Sequence, residues 1–357
     1  MSNAASGPLA GLRMIEFASI GPGPHCAMLF ADLGAEVLRI ARPGGTMPNP
    51  IVDRGRATLT LDIRTDDGRA TAIEAVRHAD VLIEGLRPGV MERLGLGPET
   101  LCGLNPRLIY GRMTGWGQDG PLATVAGHDI TYIALSGALA AIGRPGEPAV
   151  PPLNLVGDFG GGSMLLAFGI LAALWERERS GKGQVIDAAI VDGVASMMTM
   201  FAGMAGRISL DRDQNLLGGA APFYRCYLCA DGREIALGAL EPQFFATLAE
   251  RLDLPEGLTQ APAQWPELAA HLTRLLATQP LDHWLALLNG TDACAAPVLP
   301  LAEVAAHPHH RARGTYVTHD ALKQAAPAPR FSRTPGAIQP ARDGAALLAA
   351  WSRGGER

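Results

Sequence analysis

Through the first third of the chain, short apolar runs of strand period alternate with longer stretches of helical period. Residues 12–17 (Leu-Arg-Met-Ile-Glu-Phe) form the first run, which the Ile20-Gly21-Pro22-Gly23-Pro24 turn stops. A helical stretch follows through Cys26 to Leu33, and residues 36–40 (Glu-Val-Leu-Arg-Ile) return as a second strand. That succession is a βαβ unit, whose crossover makes the two strands parallel. A helix at 71–78, a strand at 80–83 and another at 107–112 extend the pattern. The first half is therefore expected to be a parallel, doubly wound α/β sheet.

The pattern changes in the second half. Residues 187–206 read as apolar and helical, with Met197, Met198, Met200 and Met204 clustered on them, and Gly218-Gly219-Ala220 then interrupts the chain. Residues 227–240 read as a hairpin turned by Asp231-Gly232, because Asp-Gly supplies the positive φ that tight hairpin turns need. Helices are expected at 242–252, at 265–276 and around 284–288. After the Pro-rich stretch 326–335, a final helix at 344–351 is expected to return to the first domain. A chain of 357 residues exceeds the roughly 250–300 at which one core stops growing. The expected organisation is a large Rossmann-like domain (1–190 plus 325–357), a linker (191–224), a small α+β domain (225–305) and a return linker (306–324).

Composition narrows the function classes. Hydrophobic residues at 48% with charged residues at 18% describe a well-buried globular chain. A net charge of -5 gives no field for nucleic acid, and no basic run suggests a membrane anchor, so an anionic ligand must be held by local groups. The five cysteines, at 26, 102, 226, 229 and 294, are odd in number, and no basic segment precedes the first apolar run. Free thiols and a cytoplasmic location are expected. Cys226-x-x-Cys229 lies on an expected strand, where residues three apart face opposite ways, so no metal or redox site is expected there. His307-Pro308-His309-His310 reads as a linker with a turn at the proline. The apolar stretch 164–175 is about a dozen residues, short of the roughly twenty that span a bilayer; a buried core helix and no membrane partner are expected. Gly21-x-Gly23-x-x-Cys26 approaches the dinucleotide fingerprint but lacks its third glycine.

Three distant segments each set one proton-transfer group beside small or backbone-exposing residues: Gly127-His128-Asp129, Gly157-Asp158-Phe159-Gly160-Gly161-Gly162 and Leu240-Glu241-Pro242. One His and two carboxylates, brought together, suffice to move a proton on and off carbon. Each also has a plainer reading. His128 fits an ordinary hydrogen-bonding role, Asp158 fits a cap on a helix beginning near Gly161, and Glu241 fits an acid in the first turn of the helix after Pro242.

Those segments, together with the 20–24 turn, the Met113-Thr114-Gly115-Trp116-Gly117-Gln118 loop and the Ala328-Pro329-Arg330-Phe331-Ser332-Arg333 tail, carry a resemblance over nearly the whole chain. It resembles the class III CoA-transferase superfamily and, within it, the α-methylacyl-CoA racemases. The resemblance implies epimerisation of 2-methylacyl-CoA thioesters through an enolate. His128 and Asp158 would be the acid/base pair on opposite faces of the α-carbon, and Glu241 would assist the histidine. A helix N-terminus lowers a carboxylate's pKa whereas a carbon base needs it raised, so burial must prevail at Asp158. Asn154 and Tyr224 are implied polar neighbours, and the Asp129 backbone N–H is the candidate donor to the thioester oxygen.

The resemblance also implies where coenzyme A, as part of the substrate and not a separate cofactor, is held. The implied contacts are Arg42, the stretch Leu61-Asp62-Ile63-Arg64, the loop Gly85-Leu86-Arg87, Arg93, and the segment Gly127 to Tyr132 with Ile130 and Thr131 inside it. Arginines supply charge for phosphates and glycines permit close backbone approach. It implies further an interlocked homodimer in which each site draws on both chains. Gly218 and Arg225 stand where acidic residues are expected in close relatives. Two other functions are compatible with the pattern: a class III CoA-transferase using Asp158 as acyl-accepting nucleophile, and a non-catalytic acyl-CoA-binding protein.

Overall fold

The computed structural model describes residues 6–45 and 48–354. The chain divides into two compact units, one made of Met1–Ser136, Leu153–Met197 and Gly314–Arg357, the other of Gly137–Pro152 and Met198–Arg313.

The first unit is built on β1 (Arg13–Phe17), β2 (Glu36–Ala41), β3 (Arg56–Thr60), β4 (Val81–Glu84), β5 (Ile109–Thr114) and β6 (Val185–Ala189). With β12 (Arg342–Asp343) they form one sheet in the order β12-β3-β2-β1-β4-β5-β6, every pairing parallel. The succession of strands runs one way from β1 through β2 and β3 and the other way from β4 through β5 and β6, which makes the crevice beyond the carboxyl ends of β1 and β4 the expected ligand site of such a sheet. The central strands β1 and β4 are buried along their whole length, as two-sided coverage requires. On one face Ile15, Leu38, Leu82, Leu108 and Tyr110 pack with Ala72, Val76, Leu347 and Trp351. Each buried Leu or Ile there contributes roughly 1.5–3 kcal/mol of hydrophobic stabilisation.

Helices α1 (Pro22–Asp32), α2 (Asp66–Arg77), α3 (Val90–Arg93) and α4 (Pro98–Leu104) connect the strands, and α5 (Asp129–Leu135) follows β5. Helix α2 starts a turn earlier than its apolar residues suggest, because Thr65 Oγ1 accepts the Gly68 N–H at 3.1 Å and caps a polar first turn. Strand β3 is half exposed and polar, and β6 alternates, so neither stands out as an apolar run. Residues 187–189, expected to be helical, are the end of β6, and α8 (Ile190–Met197) follows at once.

Two expectations are corrected by the helix that crosses the middle of this unit. Residues Leu155–Met164 form a π-helix that runs directly into α7 (Leu165–Ser180). The helix therefore begins before Asp158, which does not cap a helix starting at Gly161. Nor is the apolar stretch a short buried core helix: Leu155–Ser180 is 26 residues and contains an 18-residue window of mean hydropathy 1.6, long and apolar enough by length and composition to cross a membrane. Leu166, Ile170, Ala173 and Arg177 face inward, while Met164, Phe168, Leu171 and Trp175 form an exposed stripe.

The C-terminal segment returns to the first unit. The hairpin of β10 (Tyr316–His319) and β11 (Leu322–Ala325) is held by the buried Arg54, which donates to Gln324 Oε1 at 2.7 Å and to the Asp32 carboxylate. Helix α14 (Gly344–Arg353) is capped by Asp343 and seats Trp351, whose indole N–H donates to Glu36 at 2.9 Å.

The second unit contains α6 (Ala138–Ala141), α9 (Thr199–Gly203) and the antiparallel sheet β7-β8-β9, formed by Tyr224–Leu228, Glu234–Gly238 and Ala295–Pro297. Gly232, with φ of 75°, turns the β7–β8 hairpin. Helices α10 (Pro242–Arg251), α11 (Trp265–Leu276) and α12 (Leu281–Leu288) bury Leu248, Leu268, Leu272 and Trp284 against the sheet. The stretch 307–310 is no open linker: Pro308 opens a short helix, α13 (Pro308–Arg313), since its fixed φ suits a first helical position. All five cysteines are free, with Cys226 exposed and Cys229 buried. Among the described residues no cluster of three His, Cys, Asp or Glu is arranged to hold a metal.

Candidate active site

A cavity of about 550 Å³ opens at the switch point of the first unit's sheet. Its walls come from the segments that leave the strands: Ser19 to Pro22 after β1, Gly85 to Pro88 after β4, and Met113 to Trp116 at the end of β5. His128, Tyr132, Asn154 and Asp158 complete the lining. Residues 30 apart in sequence thus meet over one opening, because α5 and the π-helix pack on each other and on α8.

His128 precedes the first residue of α5 in an extended conformation, φ −136° and ψ 169°. Thr131 Oγ1 accepts the His128 N–H at 3.0 Å and donates to the His128 carbonyl at 2.7 Å, so a threonine fastens the helix entry. His128 is exposed at the cavity. Asp129 occupies the first helical position, where a backbone N–H has no acceptor within the helix. Gly127 and Gly115 have a local reason to be glycine: a Cβ at either would lie within 2.6 Å of the Tyr132 ring. Tyr132 also meets Trp116 edge-on at 4.7 Å, and burial raises its phenol pKa, with the Asp158 charge adding to it.

Asp158 projects from the first turn of the π-helix. Its carboxylate accepts from Asn154 Nδ2 at 3.1 Å, and its own N–H donates to Asp129 Oδ2 at 2.7 Å. Burial raises its pKa above the usual carboxylate range; Asn154 opposes that, the Asp129 charge reinforces it and His128 opposes it. A raised carboxylate and a histidine lining one cavity are an arrangement suited to acid and base work. The backbone is close as well: a Cβ at Gly21 would sit 3.1 Å from Asp158 Oδ2, and Gly21 holds a φ of 72°.

The π-helix is a product of close packing. Gly160, Gly161 and Gly162 give it little helical propensity of its own, yet α8 lies against it so tightly that a Cβ at Gly193 would be 1.9 Å from the Gly161 carbonyl oxygen. His25 Nδ1 and Ser163 Oγ are hydrogen-bonded at 2.7 Å, and the His25 ring meets Phe159 at 4.8 Å with the ring planes tilted by 49°.

A second cavity of about 600 Å³ lies beside the ends of β1 and β2 and is lined by Arg42, Leu61, Asp62, Ile63 and Arg64. Leu86 lines both cavities. Asp62 and Arg64 pair at 2.9 Å, which lowers the Asp62 pKa to about 2. Gly85 and Arg87 line the first cavity only. Arg93 sits in α3 against Gly89 and lines neither cavity, and Asp129, Ile130 and Thr131 line neither. Glu241 and Tyr224 belong to the second unit: Glu241 immediately precedes α10, and Tyr224 begins β7.

Sequence reasoning missed two features. Ser19, Met113 and Trp116 line the first cavity through the strand-end rule, which needs the strand order. Glu84 and Arg112, both buried, bond across the ends of β4 and β5 at 3.2 Å, and Glu84 Oε2 accepts the Leu86 N–H at 2.7 Å. That pair pins the 85–87 loop between the two cavities. A charged residue closing an apolar strand was the available signal.

Residues 9–342 match the family model described as CoA-transferase family III. The chain is 45% identical over 343 residues to an α-methylacyl-CoA racemase of Mus musculus, covering 94% of this chain and 89% of that protein. It is 43% identical over 336 residues to one of Homo sapiens, covering 92% and 87%. Among solved structures, a CaiB/BaiF family protein from Brucella suis superposes with a TM-score of 0.83 at 28% identity, covering 97% of this chain and all of that one.

Proposed function

The chain belongs to CoA-transferase family III, and from that premise we propose that it epimerises 2-methylacyl-CoA thioesters at the α-carbon. The observation that carries the reading is that His128 and a half-buried Asp158, its pKa raised, line the same cavity, in a chain 45% identical to a racemase.

The α-hydrogen of a thioester is a weak acid, so its removal needs a base within reach and a donor for the developing enolate oxygen. Asp158, its basicity lifted by burial, serves one face of the α-carbon and His128 the other. One removes the proton and the other delivers a proton to the opposite face, so the configuration inverts with no net change in composition. The Asp129 N–H is the donor to the oxygen. Asn154 holds the Asp158 carboxylate in one orientation and tempers its pKa.

Coenzyme A would lie along the two cavities that Leu86 joins, its phosphates near Arg42, Arg64 and Arg87, with Leu61, Asp62 and Ile63 walling the second cavity. No metal or separate cofactor enters the scheme. The exposed stripe Met164, Phe168, Leu171 and Trp175 supports a homodimer that covers it, and Glu241 would assist the histidine of the other chain.

Incubating the protein with one enantiomer of a 2-methylacyl-CoA in D2O, without an acceptor acid, tests this. Deuterium at the α-carbon together with the other epimer is the expected result. Acyl transfer to an added carboxylic acid without α-exchange would assign Asp158 to nucleophilic transfer chemistry and end the racemase reading.

A further inference from the structure

The side chain of Asp129 has no part in the scheme above, which uses only its backbone N–H. Yet that side chain is 8% exposed, its Oδ2 accepts the Asp158 N–H at 2.7 Å, and its Oδ1 has no hydrogen-bond partner among the described residues. A buried carboxylate oxygen left without a donor costs free energy, on the order of 1–3 kcal/mol or more. The backbone bond alone does not require that cost, because an asparagine oxygen would accept the same N–H.

What asparagine could not supply is the charge, and its placement is specific. The N–H that Asp129 accepts belongs to the first turn of the π-helix, which carries the positive end of that helix. The beginning of α1 also faces Asp158, through the close approach at Gly21. Both helix ends favour ionised Asp158 and weaken it as a base. A fixed negative charge on the first of them works in the other direction. Asp129 is also adjacent to His128 in the chain, so the same side chain ties the segments bearing the two proton-transfer groups.

We propose that the Asp129 carboxylate is a positioning residue that offsets the helix-end field on Asp158, keeping it basic enough to exchange protons with carbon, and that fixes its distance from His128. The proposal rests on the racemase reading. The direction of the Asp129 effect on Asp158, upward, agrees with it. The other groups carried by elements against the π-helix are Tyr132 on α5, His25, Cys26 and Asp32 on α1, exposed Asp192 on α8, Asp187 at the end of β6, and the charged last turn of α7 at Glu176 to Arg179. Asp187 is occupied by the Gln118 N–H at 2.9 Å, and Arg87 faces the cavity from the loop after β4.

The test is the pH profile of α-deuterium exchange, followed separately from each enantiomer in the wild type, Asp129→Asn and Asp129→Ser. Asp129→Asn keeps an acceptor for the Asp158 N–H and removes the charge, whereas Asp129→Ser, whose oxygen lies one bond nearer the backbone, removes the charge and shortens the acceptor's reach. Losing a neighbouring anion lowers a carboxylate's pKa, by about one unit for a close pair. The acidic limb for the epimer served by Asp158 should therefore move about one pH unit lower, with its plateau reduced about tenfold. The limb for the epimer served by His128 should move much less. A wild type that exchanges normally, with variants whose two limbs are unshifted, overturns the proposal and leaves the racemase reading standing. A wild type without any α-exchange removes the reading itself. Should both variants fail to fold by circular dichroism, ¹³C titration of the wild-type aspartates, with Asp158 assigned through Asp158→Asn, decides the matter. Asp158 should then titrate above the range of an exposed aspartate, and a titration at or below that range refutes the proposal.

Discussion

Gly193→Ala offers a sharp test of how the fold positions the site. The added Cβ would lie 1.9 Å from the Gly161 carbonyl oxygen, 2.6 Å from its carbon and 2.7 Å from the Gly161 Cα. All three are backbone atoms of the π-helix, so no side chain can swing aside. Ordinary contact begins near 3.4 Å, and α8 and the π-helix must therefore separate by about 1.5 Å. Overpacking of this kind costs about 3 kcal/mol, and misplacing a catalytic group by about 1 Å costs about 100-fold in rate. Urea unfolding should show the loss of stability, and α-deuterium exchange should show the loss of rate through Asp158. Gly103→Ala is the control: it lies in α4 with nothing within 4 Å of its Cβ position. Alanine there should stabilise by roughly 0.5–1 kcal/mol and leave exchange unchanged. Wild-type stability and exchange in Gly193→Ala would refute the claim that the crossing of α8 sets the position of Asp158.

Glu84→Gln should raise KM for the CoA thioester several-fold with kcat less affected, because Glu84 and Arg112 hold the 85–87 loop and not the proton-transfer groups; steady-state kinetics separates the two parameters. Asp158→Asn should stabilise the fold at neutral pH in urea titrations. A carboxyl whose folded pKa is raised favours folding below its unfolded pKa, near 4, and loses that contribution as pH rises through the folded value. The variant's advantage should therefore shrink as pH falls toward about 4. Phe168→Glu, on the exposed stripe of α7, should shift sedimentation toward monomer; an unchanged dimer would remove the stripe from the proposed interface.

The βαβ opening, the Asp231-Gly232 hairpin and the helices after Pro242 were legible because each carries local chemistry: a period, a positive-φ glycine, a fixed proline φ. Helix 265–276 matches α11 residue for residue. Strands β3 and β6 were not legible, since a half-exposed strand such as β3 and an alternating edge strand such as β6 both lack a continuous apolar run. The helix around Asp158 was misread for a related reason. Glycine-rich segments say little about their own conformation, and only packing against α8 and α1 makes Leu155–Met164 a π-helix.

Sequence alone determined which groups are available to the proposed chemistry, His128, Asp158 and the arginines, because residue type fixes what a side chain can donate, accept or neutralise. It also determined the alternation that makes the sheet parallel. Tertiary structure decided that Asp158 is buried enough to be raised, that Asp129 bonds its N–H while its other oxygen has no partner among the described residues, and that Glu84 ties the loop between two cavities. Desolvation and the fields of helix ends depend on segments far apart in the chain, and local pattern carries no record of which of them will meet.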